Sequence, residues 1–137
     1  GTPISALIEA AGGDPESTGE LIGGGPMMGK ALIAPEVPVT KGSSGVLLLT
    51  KEESVRKPMR DCIRCAKCVS VCPMGLNPTL LMNATEFAEW DLAEKNYITD
   101  CIECGSCSYT CPANRPLLDY IRSGKGKVMG IIRARKS

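Results

Sequence analysis

The chain has 137 residues and no histidine. That absence removes the commonest general base, and with it the Ser-His and Cys-His nucleophile arrangements, so hydrolytic chemistry of the usual kinds is not expected. Long hydrophobic runs are also missing. The longest apolar stretch, near Val46 to Leu49, is far short of the roughly 20 residues a membrane span needs. The chain therefore does not cross a bilayer by itself, although it can still sit on a membrane complex. A net charge of +1 with 43% apolar residues places it among soluble globular proteins of one domain or two small ones, and names no partner. It has no initiator methionine and opens at Gly1-Thr2-Pro3, so it is expected to be cut from something longer.

The charge is unevenly spread. Residues 112 to 137 carry seven cations against Asp119 alone, net +6, leaving −5 for residues 1 to 111. This basic tail reads either as a solvated terminal helix or as a docking element for an acidic protein or anionic lipid. Aromatics are too scarce to suggest nucleic acid: only Tyr120 interleaves with these cations, and no recognised nucleic-acid motif accompanies them.

What is present is cysteine. Eight of them form two copies of C-x2-C-x2-C-x3-C-P, at Cys62, Cys65, Cys68, Cys72-Pro73 and at Cys101, Cys104, Cys107, Cys111-Pro112. This is the ligand pattern of paired [4Fe–4S] clusters, in which the last cysteine of each run serves the neighbouring cluster. Ligands are accordingly assigned crosswise. Cluster one takes Cys62, Cys65, Cys68 and Cys111; cluster two takes Cys101, Cys104, Cys107 and Cys72. Clusters tied together in this way are close, which suits an electron relay. Zinc knuckles place C-x2-C pairs across longer loops and omit the Cys-Pro. A disulfide framework does not suit cysteines only two or three residues apart with no leader ahead of them. Thioredoxin-like chemistry needs a single C-x2-C in a βαβ setting.

Residues 1 to 50 read as a small α+β unit. Thr2 and Pro3 start a helix with Ile4, Leu7, Ile8 and Ala11 on one face, and Gly12-Gly13 stop it. Short strands are expected at Glu20 to Ile22, Ala31 to Ala34 and Val46 to Thr50, with Pro35 and Pro38 confining their segment to an edge or loop. Gly24 to Lys30 fits the first seven positions of a phosphate loop. It fails at the eighth, where Ala31 replaces the hydroxyl residue, so a structural turn is expected.

Residues 51 to 60 are charged and read as a linker, residues 61 to 124 as a helical cluster domain, and residues 125 to 137 as a tail. In the cluster domain Asn77 caps a helix opened by Pro78, with Leu80, Leu81, Ala84, Phe87 and Ala88 at helical spacing. Asp91 caps a second helix through Leu92 to Tyr97, and a third runs from Pro116 and halts at Gly124. Aliphatic content is thin, so the clusters are expected to form much of the core. Ile63, Ile102 and Val69 are candidates to shield them from water. Ala66 stands where Gly105 stands in the second run, so the two clusters are expected to differ in amide geometry.

Outside the cysteines, Gly24-Gly25-Pro26-Met27-Met28-Gly29, Pro38-Val39-Thr40-Lys41-Gly42, Cys72-Pro73-Met74-Gly75-Leu76-Asn77-Pro78, Asp100 to Cys107, and Arg115-Pro116-Leu117 narrow the field. On these segments the chain resembles the C subunit of the Rnf electron-transport complex (the RnfC, or RsxC, family). The resemblance implies an SLBB-type β-grasp domain followed by an α-helical ferredoxin domain, and thus an α+β fold. It further implies a subunit of a ferredoxin:NAD oxidoreductase that couples electron flow to Na⁺ or H⁺ translocation. In that family FMN and NAD bind in an N-terminal domain that this chain lacks. The implied partners are other Rnf subunits, including a ferredoxin-like B subunit, and the implied place is the cytoplasmic face of the inner membrane, peripherally. The competing readings are a metal-stabilised docking module and a cluster subunit of a quinone or heterodisulfide reductase.

Overall fold

The computed structural model describes residues 1–13 and 16–136 and divides into two compact units, Gly1–Lys57 and Pro58–Ser137. It mixes helices with one small sheet, and among the described residues no helix is long and apolar enough to cross a membrane.

The first unit opens with helix α1, Ile4–Ala10. Pro3, not Thr2, stands at its N-cap, and no side chain caps it. The reason is a backbone substitute: the free N–H groups of Ile4 and Ser5 donate to the carbonyls of Val37 (3.0 Å) and Pro35 (2.8 Å), satisfying the orphan donors that a capping hydroxyl would otherwise take. Three antiparallel strands follow, β1 (Thr18–Gly23), β2 (Lys30–Ala31) and β3 (Val46–Thr50), in the order β2-β1-β3. Pairing is tight between Gly23 and Val46, Ile22 and Leu47, and Leu21 and Leu48, and slips near Gly19. A side chain at Gly19 would run into Ser54 and the Lys51 backbone, so the bulge needs glycine there. β2 is shorter than the expected Ala31 to Ala34, with Leu32 hydrogen-bonded to Leu21 but Ile33 fully exposed. Gly24 to Gly29 form the β1–β2 connection, and Lys30 opens a strand, not a helix. Gly24 has φ +114°, and a Cβ on Gly29 would strike Ile22 and the Gly25 carbonyl. The core of this unit is small: Ile4, Ile8 and Ile22.

The second unit is helical: α2 (Lys67–Ser70), α3 (Pro78–Glu86), α4 (Trp90–Lys95), a 3₁₀ turn at Ile98–Asp100, α5 (Ser106–Tyr109) and α6 (Leu117–Lys136). The two cysteine runs repeat one backbone plan. Left-handed residues recur at Arg64 and Glu103, at Ala66 and Gly105, and at Gly75 and Asn114. Ala66 and Gly105 are the N-caps of α2 and α5, so each run is a coiled loop leading into one helical turn. Asn77 caps α3 as expected, its side-chain oxygen accepting from Leu80 N–H at 3.2 Å, with Pro78 at the first position. α4 starts one residue before Asp91, which lies in its first turn and does not cap it.

α6 corrects the sequence reading. The helix does not halt at Gly124; residues 125 to 136 continue it, and Ser137 lies outside the described residues. Leu117, Ile121, Gly124 and Val128 fall on one buried stripe, the spacing of a helix face turned to a core. Gly124 is there for closeness, since a Cβ would collide with Thr85 and Ile98. The core combines this stripe with Leu76, Leu81, Met82, Ala84, Ala93, Ile98 and the thiols of Cys68 and Cys107. Phe87, expected on the inner face of α3, is 73% exposed, while Met82 is buried in its stead.

Candidate metal centre

The structure gathers the eight cysteines around two cavities. One is lined by Cys62, Cys65 and Cys68 from the first run and Cys111 from the second. The other is lined by Cys101, Cys104 and Cys107 together with Cys72 from the first run. Each Cys-Pro therefore ends its loop by carrying the last thiol away from its own run. No three Cys, Asp or Glu side chains among the described residues converge enough to grip a single ion. Three thiols from one run and a fourth from the other are the ligand set of each cluster in two-cluster iron–sulfur proteins.

Local hydrogen bonds already address the sulfurs. Leu76 N–H donates to Cys72 Sγ and Glu103 N–H to Cys101 Sγ, each at 3.4 Å, and Thr79 Oγ1 lies 3.2 Å from Cys68 Sγ. The thiols differ in ionisation. Burial pushes Cys107 up to about 11 and raises Cys101, whereas the Ser106 hydroxyl beside Cys104 lowers it. Ligation requires thiolates, so metal must displace protons most firmly held at Cys107.

The surroundings are unequal. Cys62 and Cys65 are exposed, and the first cavity has about 190 Å³ of free space. The second is tighter, about 20 Å³. Ile63 and Ile102 line the first and second cavities respectively but are 69% and 54% exposed, and Val69 lines neither, so they do not form the expected shield. Leu76, Leu81, Leu118 and Ile121 cover the second cavity instead. They escaped the sequence reading because they come from α3, α6 and the segment after Cys72, not from the cysteine loops.

Two features of the second unit were not foreseen. Glu103 is clamped by α6: Arg122 Nε donates to it at 3.0 Å and Lys125 Nζ at 3.3 Å, while Lys125 also donates to the Cys101 carbonyl at 2.8 Å. Burial raises the Glu103 carboxyl, but these cations outweigh it and hold the group below its ordinary value. The second is Arg115, which lines the first cavity and whose buried Nε–H has no acceptor. An orphaned buried donor beside four thiols fits a sulfur-rich group in that cavity.

The fold and these two thiol-lined cavities define an iron–sulfur protein, and residues 54–112 match the family described as a 4Fe-4S dicluster domain. Over 94% of its length the chain is 44% identical to the C subunit of the Na(+)-translocating ferredoxin:NAD(+) oxidoreductase complex of Acetobacterium woodii. It is 47% identical over 93% of its length to the C subunit of the ion-translocating oxidoreductase complex of Rhodobacter capsulatus. To the C subunit of the proton-translocating ferredoxin:NAD(+) oxidoreductase complex of Clostridium ljungdahlii it is 45% identical over 89%. The chain is thus a relative of the C subunits of Rnf-type complexes, and it spans 29%, 25% and 27% of the length of these three proteins.

Proposed function

We propose that the second unit holds two [4Fe–4S] clusters, one on Cys62, Cys65, Cys68 and Cys111 and one on Cys101, Cys104, Cys107 and Cys72, and relays electrons between partner proteins. The observation that carries this is the lining of the two cavities, four thiols each, with the fourth crossing over from the other run. Bound clusters supply one-electron transfer at potentials set by their surroundings. The chain's own contribution is to fix the thiols, donate N–H groups to sulfur and exclude water from the second cavity.

Similarity to the C subunits supports placing this relay in an Rnf-type ferredoxin:NAD oxidoreductase coupled to Na⁺ or H⁺ translocation. In that setting the chain works at the cytoplasmic face of the membrane. It takes electrons from a ferredoxin-like B subunit and passes them towards flavin and nicotinamide sites in another domain. The first unit, a three-stranded sheet with one helix, is proposed to be the SLBB-type β-grasp domain.

The test is iron, acid-labile sulfide and zinc content of anaerobically purified protein, with visible spectra before and after dithionite. About eight iron and eight sulfide per chain, with a brown colour that bleaches, is the expected result. About two zinc ions in a colourless sample that iron cannot convert would make the protein a structural module. In a Cys72→Ser variant the spectroscopic signal lost should belong to the centre on Cys101, Cys104 and Cys107. Loss of the other signal would overturn the crosswise assignment.

A further inference from the structure

The two cavities differ in what faces them. Apart from its four thiols, the second is walled by apolar side chains, Leu81 and Ile121 among them, and by Gly105. The first takes Arg64, Asn77, Thr79 and Arg115 into its wall. Arg64 and Asn77 are exposed, so water screens them, but the Arg115 side chain is only 13% exposed. Glu86 stands 3.9 Å from a terminal nitrogen and is itself 40% exposed, and Nε–H is buried without an acceptor among the described residues. Folded proteins rarely leave such a donor unsatisfied, because its lost hydration is not returned. Pro116 fixes the backbone directly after Arg115, and Cys111, four residues before it, is one of the thiols in the same wall.

Resting on the cluster reading above, we propose that Arg115 sets the reduction potential of the centre on Cys62, Cys65, Cys68 and Cys111 by donating its Nε–H to sulfur and holding positive charge beside it. Reduction adds one negative charge to a centre, and a fixed cation with an N–H···S hydrogen bond favours the form that carries it. The second centre has no equivalent. No cation lines its cavity, and Arg122 and Lys125 of α6 are engaged by Glu103, Lys125 also by the Cys101 carbonyl. The first centre is therefore the one of higher potential, and an electron shared between the two rests there. Arg115 tunes the site by direct contact and is not a ligand.

The experiment is an EPR-monitored redox titration of the anaerobically reconstituted protein, with dithionite as electron donor and Cys65→Ser and Cys104→Ser variants to assign the signals. Arg115→Gln should lower the midpoint of the first centre alone. At fixed potential its oxidised-to-reduced ratio should rise about tenfold, which is about 59 mV for one electron. Arg115→Lys keeps the charge without the planar fork and should give a smaller shift of the same sign. An unchanged midpoint at full iron content, or an equal shift of both centres, would overturn the proposal. If Arg115→Gln fails to hold iron, Arg115→Lys decides: a lowered midpoint supports the assignment and an unmoved one refutes it. Wild-type protein that takes up no iron and sulfide would sink the cluster reading itself. Two intact centres indifferent to Arg115 would sink only this inference.

Discussion

Two glycines two residues apart on α6 have opposite worth. A methyl group on Gly124 would collide with the Thr85 side chain and with Ile98, whereas one on Gly126 meets nothing within 4 Å. Gly124→Ala should destabilise the protein by about 1–3 kcal/mol through overpacking. Gly126→Ala should stabilise it by about 0.5–1 kcal/mol, because alanine restricts the unfolded chain and favours helix. Thermal unfolding at equal iron content checks both, and shifts of the same sign would contradict the packing. Glu53 offers a second test. It closes a capping box with Thr50, accepting from the Thr50 N–H at 3.0 Å and hydroxyl at 2.9 Å and donating its own N–H to that hydroxyl at 3.3 Å. The Thr50 amide, then its hydroxyl, hold the carboxyl below its ordinary value of 4.5. The folded state thus favours the ionised form, so this stabilisation is present above the unfolded value and disappears as pH falls through the folded one. NMR titration should place Glu53 below a reference glutamate, and Thr50→Ala should move it part of the way back.

At the scale of elements, α6 decides the second unit. It packs on α3 and α4, and its cations serve the fold: Arg135 pairs with Glu94 at 2.8 Å and Asp91 at 3.4 Å, and Arg122 and Lys125 hold Glu103. The basic tail is a continuation of this helix, and residues 133 to 136 are exposed at its end. Val128 is fully buried, so Val128→Ala should cost about 2 kcal/mol. Arg135→Ala, breaking exposed pairs, should cost less than about 1 kcal/mol. Chemical denaturation that ranks these the other way would mean charge, not packing, seats the helix. The sequence made α3 legible because Asn77 and Pro78 act on neighbours in the chain, and β3 legible because Val46 to Thr50 is an unbroken β-forming run. It hid the length of α6 because glycine at a close approach looks the same as glycine at a helix end; only the positions of Thr85 and Ile98 distinguish them. α2 and α5 were illegible for another reason. Four residues set off by a left-handed residue leave no periodic signal, and the loop around the cavity shapes them as much as their own propensity does.

At the scale of the molecule, every cysteine lies in one unit, so metal should matter to one unit only. In the second, Cys68 and Cys107 are buried among Leu76, Leu81, Ile98 and Ile121, and Cys72, Cys101 and Cys111 pack against them, which makes the metal centres part of the core. Removing iron leaves thiols whose protonated forms cannot tie the two runs together, and a domain this small has little other apolar surface to compensate. The first unit depends on Ile4, Ile8 and Ile22, the β1–β3 ladder and the carbonyls that cap α1, none of which involves a thiol. Hydrogen exchange read by mass spectrometry, before and after oxidative chelation of iron, should therefore show α3 and the Leu117 to Val128 part of α6 losing protection while β1 and β3 keep theirs. Loss in both units together would mean that they unfold as one. Protection unchanged in α3 and α6 would mean that the helical core stands without its metal, and that the clusters, however they conduct electrons, contribute nothing to holding the fold.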